Sequence, residues 1–212
     1  MAESPIDIYT EPSSIDPDTL KNLGPLAPLA GVWEGLHGQD RHPEADGPGD
    51  DRYVERYELQ PIDPQTNGPQ LLYGLRYHIH ITRPGERATF HDQVGYWLWE
   101  PATGTVIQTL AIPRGQVAMA AGVAATDART FDLHCEEGSP YWSTCSNPFL
   151  DRSFKTLGYT IRVTIHDDGT WSYEQDTVLQ VAGSEQVFHH TDANTLRRIA
   201  EAEANPMARG GR

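Results

Sequence analysis

Between Gly31 and about Val181 the chain runs in short stretches rich in Tyr, Trp, Val, Ile and Thr, separated by clusters of Gly, Pro and Asp. This pattern predicts strands at Gly31–His37, Arg52–Leu59, Leu71–Ile81, Ala88–Trp99 and Thr105–Ile112. It continues with strands at Gln116–Val123, Thr130–Cys135, Tyr141–Ser146, Phe154–Ile165 and Thr170–Val181. Arg83-Pro84-Gly85-Glu86, Ala102-Thr103-Gly104 and Asp167-Asp168-Gly169 read as tight turns, so most neighbours in sequence are antiparallel. About ten strands in succession with no helical pattern between them predict an all-β fold. An up-and-down barrel is preferred to a sandwich because closure removes the edges. Alternation assigns faces. Leu75, Tyr77, Ile79 and Ile81 share one side of their strand, and Arg76, His78 and His80 the other; in the next strand His91, Gln93, Gly95, Trp97 and Trp99 fall together.

Helical signals flank the strands. Leu20, Leu23 and Leu26 follow Asp16-Pro17, an N-cap with proline at the first position, and Gly24-Pro25 closes a short N-terminal helix. Ala193 to Ala200 reads as a short C-terminal helix with Thr191 or Asp192 as its cap. The organisation expected is a flexible tail over 1–15, one barrel domain over 16–200 and a flexible polar tail over 201–212.

Charge narrows the partners. The chain of 212 residues carries 30 Asp plus Glu against 16 Lys plus Arg, a formal net charge of −14. That argues against a nucleic-acid backbone or an anionic membrane surface and leaves small molecules open. No apolar run reaches the roughly 18 residues of a membrane span. The opening MAESPIDIYTEPSS lacks the basic-then-apolar order of a secretory signal, so the expected compartment is the cytoplasm. Two cysteines, Cys135 and Cys145, with no C-x-x-C or C-x-x-C-H, exclude a disulfide scaffold and covalent haem attachment and are expected as inert buried thiols.

Nucleotide-binding and hydrolase motifs such as G-x-G-x-x-G, Walker A, G-x-S-x-G and H-E-x-x-H are absent. Nine histidines remain. His78, His80 and His91 flank one hairpin and would make a three-histidine metal site if they converged, but alternation puts the first two on the outer face. The acids between Arg52 and Glu58 show no spacing that selects a hydrolytic pair.

Three segments carry a family resemblance. Gly31-Val32-Trp33-Glu34-Gly35 after a short helix, His91-Asp92-Gln93-Val94-Gly95-Tyr96, and His190 ahead of a terminal segment bearing Arg197 and Arg198 together resemble the nitrobindin family of haem-binding barrels, from about Leu23 to Ile199. The G-x-W start is also similar to that of lipocalins. The resemblance implies a ten-stranded barrel of lipocalin and fatty-acid-binding-protein type holding one non-covalent haem b. His190 would be the axial iron ligand, His189 the alternative, His91 the distal residue donating a hydrogen bond to bound ligand, and Trp33 and Trp97 cofactor neighbours. It further implies binding of nitric oxide and isomerisation of peroxynitrite to nitrate on ferric haem. The sequence departs from the pattern where His37 replaces the third glycine of G-x-W-x-G-x-G, with Gly38 one place later, and in extra residues at Arg41–Asp51 and Gln60–Pro69. Two other readings stand beside it. One is a carrier of an apolar carboxylate anchored by Arg76 and Arg162; the other is a barrel with a filled interior that binds proteins through its surface.

Overall fold

The structure, a computed structural model, describes residues 7–210. Its strands are β1 (Gly31–Glu44), β2 (Gly47–Pro61), β3 (Gln65–Asn67), β4 (Gln70–Thr82), β5 (Thr89–Glu100) and β6 (Thr105–Ile112). They continue as β7 (Gln116–Val123), β8 (Thr130–Glu136), β9 (Thr144–Ser146), β10 (Phe154–Ile165), β11 (Trp171–Val181) and β12 (Phe188–Ala200). The pairing order β2-β1-β12-β11-β10-β8-β7-β6-β5-β4 is closed by β2 against β4, giving a ten-stranded antiparallel barrel. β3 extends β4, and β9 adds a short ladder to β7. No helix among the described residues is long and apolar enough to cross a membrane.

Two elements differ from the sequence reading. Ala193–Ala200 is no helix: it is the second half of β12, laddered to β1 on one side and β11 on the other. Its residues favour a helix locally, but in that state β1 and β11 would both be left as open edges, and closure prevails. Asp192, the expected cap, points into the barrel and receives the Gln175 amide at 2.8 Å. Conversely, Tyr141–Ser146 supplies only the three residues of β9 and is not a stave, so β12 is the tenth strand in its place.

One end of the barrel is packed solid. Trp33, Leu59, Leu75, Trp97, Trp99, Leu133, Val163, Trp171 and Leu196 are each no more than 2% exposed. Each such side chain contributes about 1.5–3 kcal/mol by burial. Across this end lie α1 (Thr19–Asn22) and a 3₁₀ segment, Gly24–Leu29, joined by Leu23; Leu23, Leu26 and Leu29 are fully buried. The helix is shorter than expected and begins after Asp18. Asp16 instead accepts from the Asp18 amide at 2.9 Å, and Gly24 at φ +54° turns the chain where a Cβ would overlap the Trp99 ring. The indole N–H of Trp33 donates to Leu29 O at 2.7 Å, tying plug to barrel. Beyond β12, buried Asn205 accepts from the Thr19 amide at 3.1 Å and donates to Pro17 O and Asp63 Oδ1 at 2.7 and 2.8 Å.

The displaced glycine also finds its explanation here. Gly35 pairs with Glu55 and Gly38 with Tyr53, so three steps on β1 oppose two on β2, a β-bulge at Leu36-His37. The bulge restores the inward series Trp33, Gly35, Gly38, Asp40. A Cβ on Gly35 would overlap the Asn194 amide, and one on Gly38 the Tyr53 ring, so both glycines make room for polar side chains lying over β1.

Candidate functional site

The other half of the barrel encloses a cavity of about 410 Å³, within the usual range for small-molecule sites. Towards α2 (Pro148–Ser153) its walls are apolar: Ile81, Phe90, Ile112, Phe149, Phe154 and Leu179. Deeper, Tyr53, Glu55, Gln108, Tyr159, Tyr173 and Gln175 make it polar. The alternation of β12 decides which of its two adjacent histidines reaches this space. His190, Asp192, Asn194 and Leu196 share the inward face; His189 points outward, its side chain 59% exposed and bonded through Nδ1 to Asp176 Oδ2 at 2.6 Å.

His190 is held by carboxylates. Its Nε2 lies 2.7 Å from Asp40 Oδ1 and 3.6 Å from Asp192 Oδ2, while Asp40 Oδ2 meets His42 Nδ1 at 2.5 Å. Burial works against charge on Asp40, but the bonds from His190, Asp192 and His42 prevail and hold it below the usual carboxylate range. Asp192, almost wholly buried beside that negative charge, is pushed the other way, above the usual carboxylate range. Burial also opposes protonation of His190, yet the bond to Asp40 and the nearby negative charges raise it above the ordinary imidazole value. His190 is thus clamped by Asp40 through Nε2.

Behind this clamp lies a second polar chain. Tyr53 donates to Tyr173 (2.8 Å), Tyr173 to Glu55 Oε2 (2.8 Å), and Asn194 to the same oxygen (2.9 Å). Complete burial pushes the Glu55 carboxyl up to about 7. Neither Asp40 nor Glu55 stood out in the sequence, although the period of two places Glu55 with the inward Tyr53 and Tyr57.

The remaining candidates separate. His91 lines the cavity on β5, with Nε2 3.3 Å from Gln93 Oε1. His78 and His80 face outward and bond to Asp92 (2.9 Å) and Thr89 (3.1 Å), so the three histidines do not converge. Trp33 and Trp97 do not line the cavity: they belong to the solid end, where their indole N–H groups are taken by Leu29 O and by Tyr57 OH at 2.7 Å. Arg76 and Arg162 are on the outer face, the latter paired with Asp132, so neither reaches the cavity. Arg114 is at the cavity wall instead. Cys135 is buried, its thiol pushed up to about 11 by burial, whereas Cys145 is exposed and not buried as expected.

Comparison with known proteins adds the family. The model of the THAP4-like, haem-binding β-barrel domain matches residues 22–198. The chain belongs to that family. The THAP4-like barrel also superposes on the crystal structure of Rv2717c from M. tuberculosis with a TM-score of 0.59 at 21% identity, over 87% of this chain and 99% of that one, a likeness of fold. None of the curated proteins compared with it matches the sequence. The family match spans every segment on which the resemblance to nitrobindin-type barrels rests.

Proposed function

We propose that this THAP4-like barrel holds one non-covalent haem b in its cavity, with His190 as the iron ligand, and that the loaded protein binds nitric oxide and isomerises peroxynitrite to nitrate. The observation that carries the reading is the face of β12: it turns His190, and not His189, into a cavity whose outer half is apolar. The donor set fits the group. His190 would hold the iron through one imidazole, and the group would supply an iron open to a small molecule. Phe90, Ile112, Phe149, Phe154 and Leu179 would offer apolar contact to the ring of a tetrapyrrole, and Arg114, also in the lining, would supply a cation for its carboxylates. Nε2 of His190 is held by Asp40 at 2.7 Å, so a haem held through that nitrogen would take the place of the Asp40 bond.

Ferric haem, when bound, supplies a Lewis-acidic iron for the peroxide oxygen. The protein's own part is confinement. The apolar half would keep water away from a bound guest, and the plugged end closes the barrel below, leaving the guest no exit on that side. The outward position of both Arg76 and Arg162 weighs against the carrier of an apolar carboxylate. Stopped-flow mixing of haem-loaded protein with peroxynitrite tests the reaction: decay accelerates in proportion to loaded protein, with nitrate as the product. Decay no faster than with haem-free protein overturns it.

A further inference from the structure

We propose that His91 serves the cavity through the bare lone pair of Nδ1, as a hydrogen-bond acceptor, because a one-way chain of hydrogen bonds fixes its only proton on Nε2. The direction is set at the far end. Thr109 O is a backbone carbonyl and can only accept, so the single hydroxyl proton of Tyr77 is spent on it at 3.0 Å. The Tyr77 oxygen is then an acceptor, which orients the Gln93 amide with Nε2 towards it at 2.7 Å. The other end of that amide, Oε1, faces His91 Nε2 at 3.3 Å and has no proton to give. The ring nitrogen opposite it must therefore carry the hydrogen. A neutral imidazole has one N–H, so Nδ1 is left with a lone pair.

Neutrality is supported by the surroundings. Burial lowers the His91 value, and the positive Arg114 and His190 lower it further, against the opposing Gln93 bond and Asp92 charge. Among the described residues Nδ1 has no hydrogen-bond partner, while the ring lines the cavity. This reverses the donor role expected for His91. An anion placed beside it meets a lone pair, whereas a guest carrying O–H or N–H finds an acceptor. At His91 the cavity thus favours the O–H or N–H of a protonated guest, of the class of water, hydroxylamine or a peroxy acid, over its anion. Gln93 and Tyr77 are positioning residues, acting on the guest only through His91. The tautomer stands with or without haem; its effect on iron-bound ligands rests on the haem reading.

The test is a long-range proton–nitrogen correlation spectrum of the haem-free protein at neutral pH, with His91 assigned by its loss in His91→Leu. The expected result is the neutral tautomer protonated on Nε2, and a shift towards the other tautomer or the imidazolium in Gln93→Leu. Proton on Nδ1, a charged ring in the wild type, or a tautomer unmoved in Gln93→Leu overturns the proposal, whether or not haem binds. In ferric haem-loaded protein, His91→Leu leaves fluoride affinity within about threefold of wild type, since no donor is removed. A loss of about tenfold or more, the worth of one good hydrogen bond to an anion, contradicts the acceptor role.

Discussion

Single residues set the chemistry of the cavity by what they deny their neighbours. Gly35 and Gly38 bring no side chain, so Asn194 and Tyr53 lie flat over β1 and reach Glu55 and Tyr173. Gly35→Ala pushes the Asn194 amide off Glu55, and urea unfolding should show a loss of about 1–3 kcal/mol, as for other overpacked interior sites. Glu55 itself makes stability depend on pH. Its value is raised from 4.5 to about 7 on folding, so between those values the native state holds the extra proton. Stability from this group is complete below about pH 4.5 and falls as pH rises to 7, by about 3 kcal/mol at most. Asp192, raised by burial, adds a slope of the same sign. Glu55→Gln removes the Glu55 share, and denaturant midpoints measured at pH 5 and pH 7.5 should lie closer together than in the wild type. An unchanged gap between the two midpoints contradicts a neutral Glu55.

At the scale of elements, β12 carries most of the argument, and it is where sequence and structure part. A helix over Ala193–Ala200 would put Ala193 at the first helical position, which tolerates proline. In the barrel Ala193 is laddered to Gln39 and Glu174, and proline there removes a bond from a strand with neighbours on both sides. Ala193→Pro should therefore cost about 3 kcal/mol or more, or leave no folded barrel, in thermal unfolding followed by circular dichroism. Near-wild-type stability would mean the segment is helical after all. Elsewhere the period of two was readable: Thr105–Ile112, Gln116–Val123 and Phe154–Ile165 have the bounds that alternation predicts. β12 was not, because Asn194-Thr195-Leu196-Arg197-Arg198 has no intrinsic β preference and becomes a strand only when a closing barrel needs one. The helical reading also leaves His189 and His190 undistinguished. Read as a strand, His190 falls with Asp192, Asn194 and Leu196 on the inward face, and the choice between the two histidines follows; read as a helix start, it does not. Asp40 was hidden differently, because its inward position depends on a bulge at Leu36-His37 that no local pattern announces.

The whole molecule divides along the barrel axis. One end is filled with tryptophans and leucines under a plug of leucines; the other stays hollow and holds the polar side chains and His190. That division explains why Trp33 and Trp97, the most conspicuous aromatics of the resemblance, belong to the floor and not to the ligand. Trp97→Phe should accordingly lower thermal stability, by leaving the Tyr57 hydroxyl without its indole partner, while haem affinity stays within about threefold. A variant that stays stable but loses haem would place Trp97 at the ligand instead. The account turns on a haem held by one named imidazole at the hollow end. Hemin titration of the wild type, His190→Ala and His189→Ala, followed at the Soret band, addresses that claim most directly. The predicted result is a saturable one-to-one band in the wild type and in His189→Ala, lost or replaced by a weak unspecific spectrum in His190→Ala. No saturable band in the wild type, or a band that survives in His190→Ala and vanishes in His189→Ala, would contradict it.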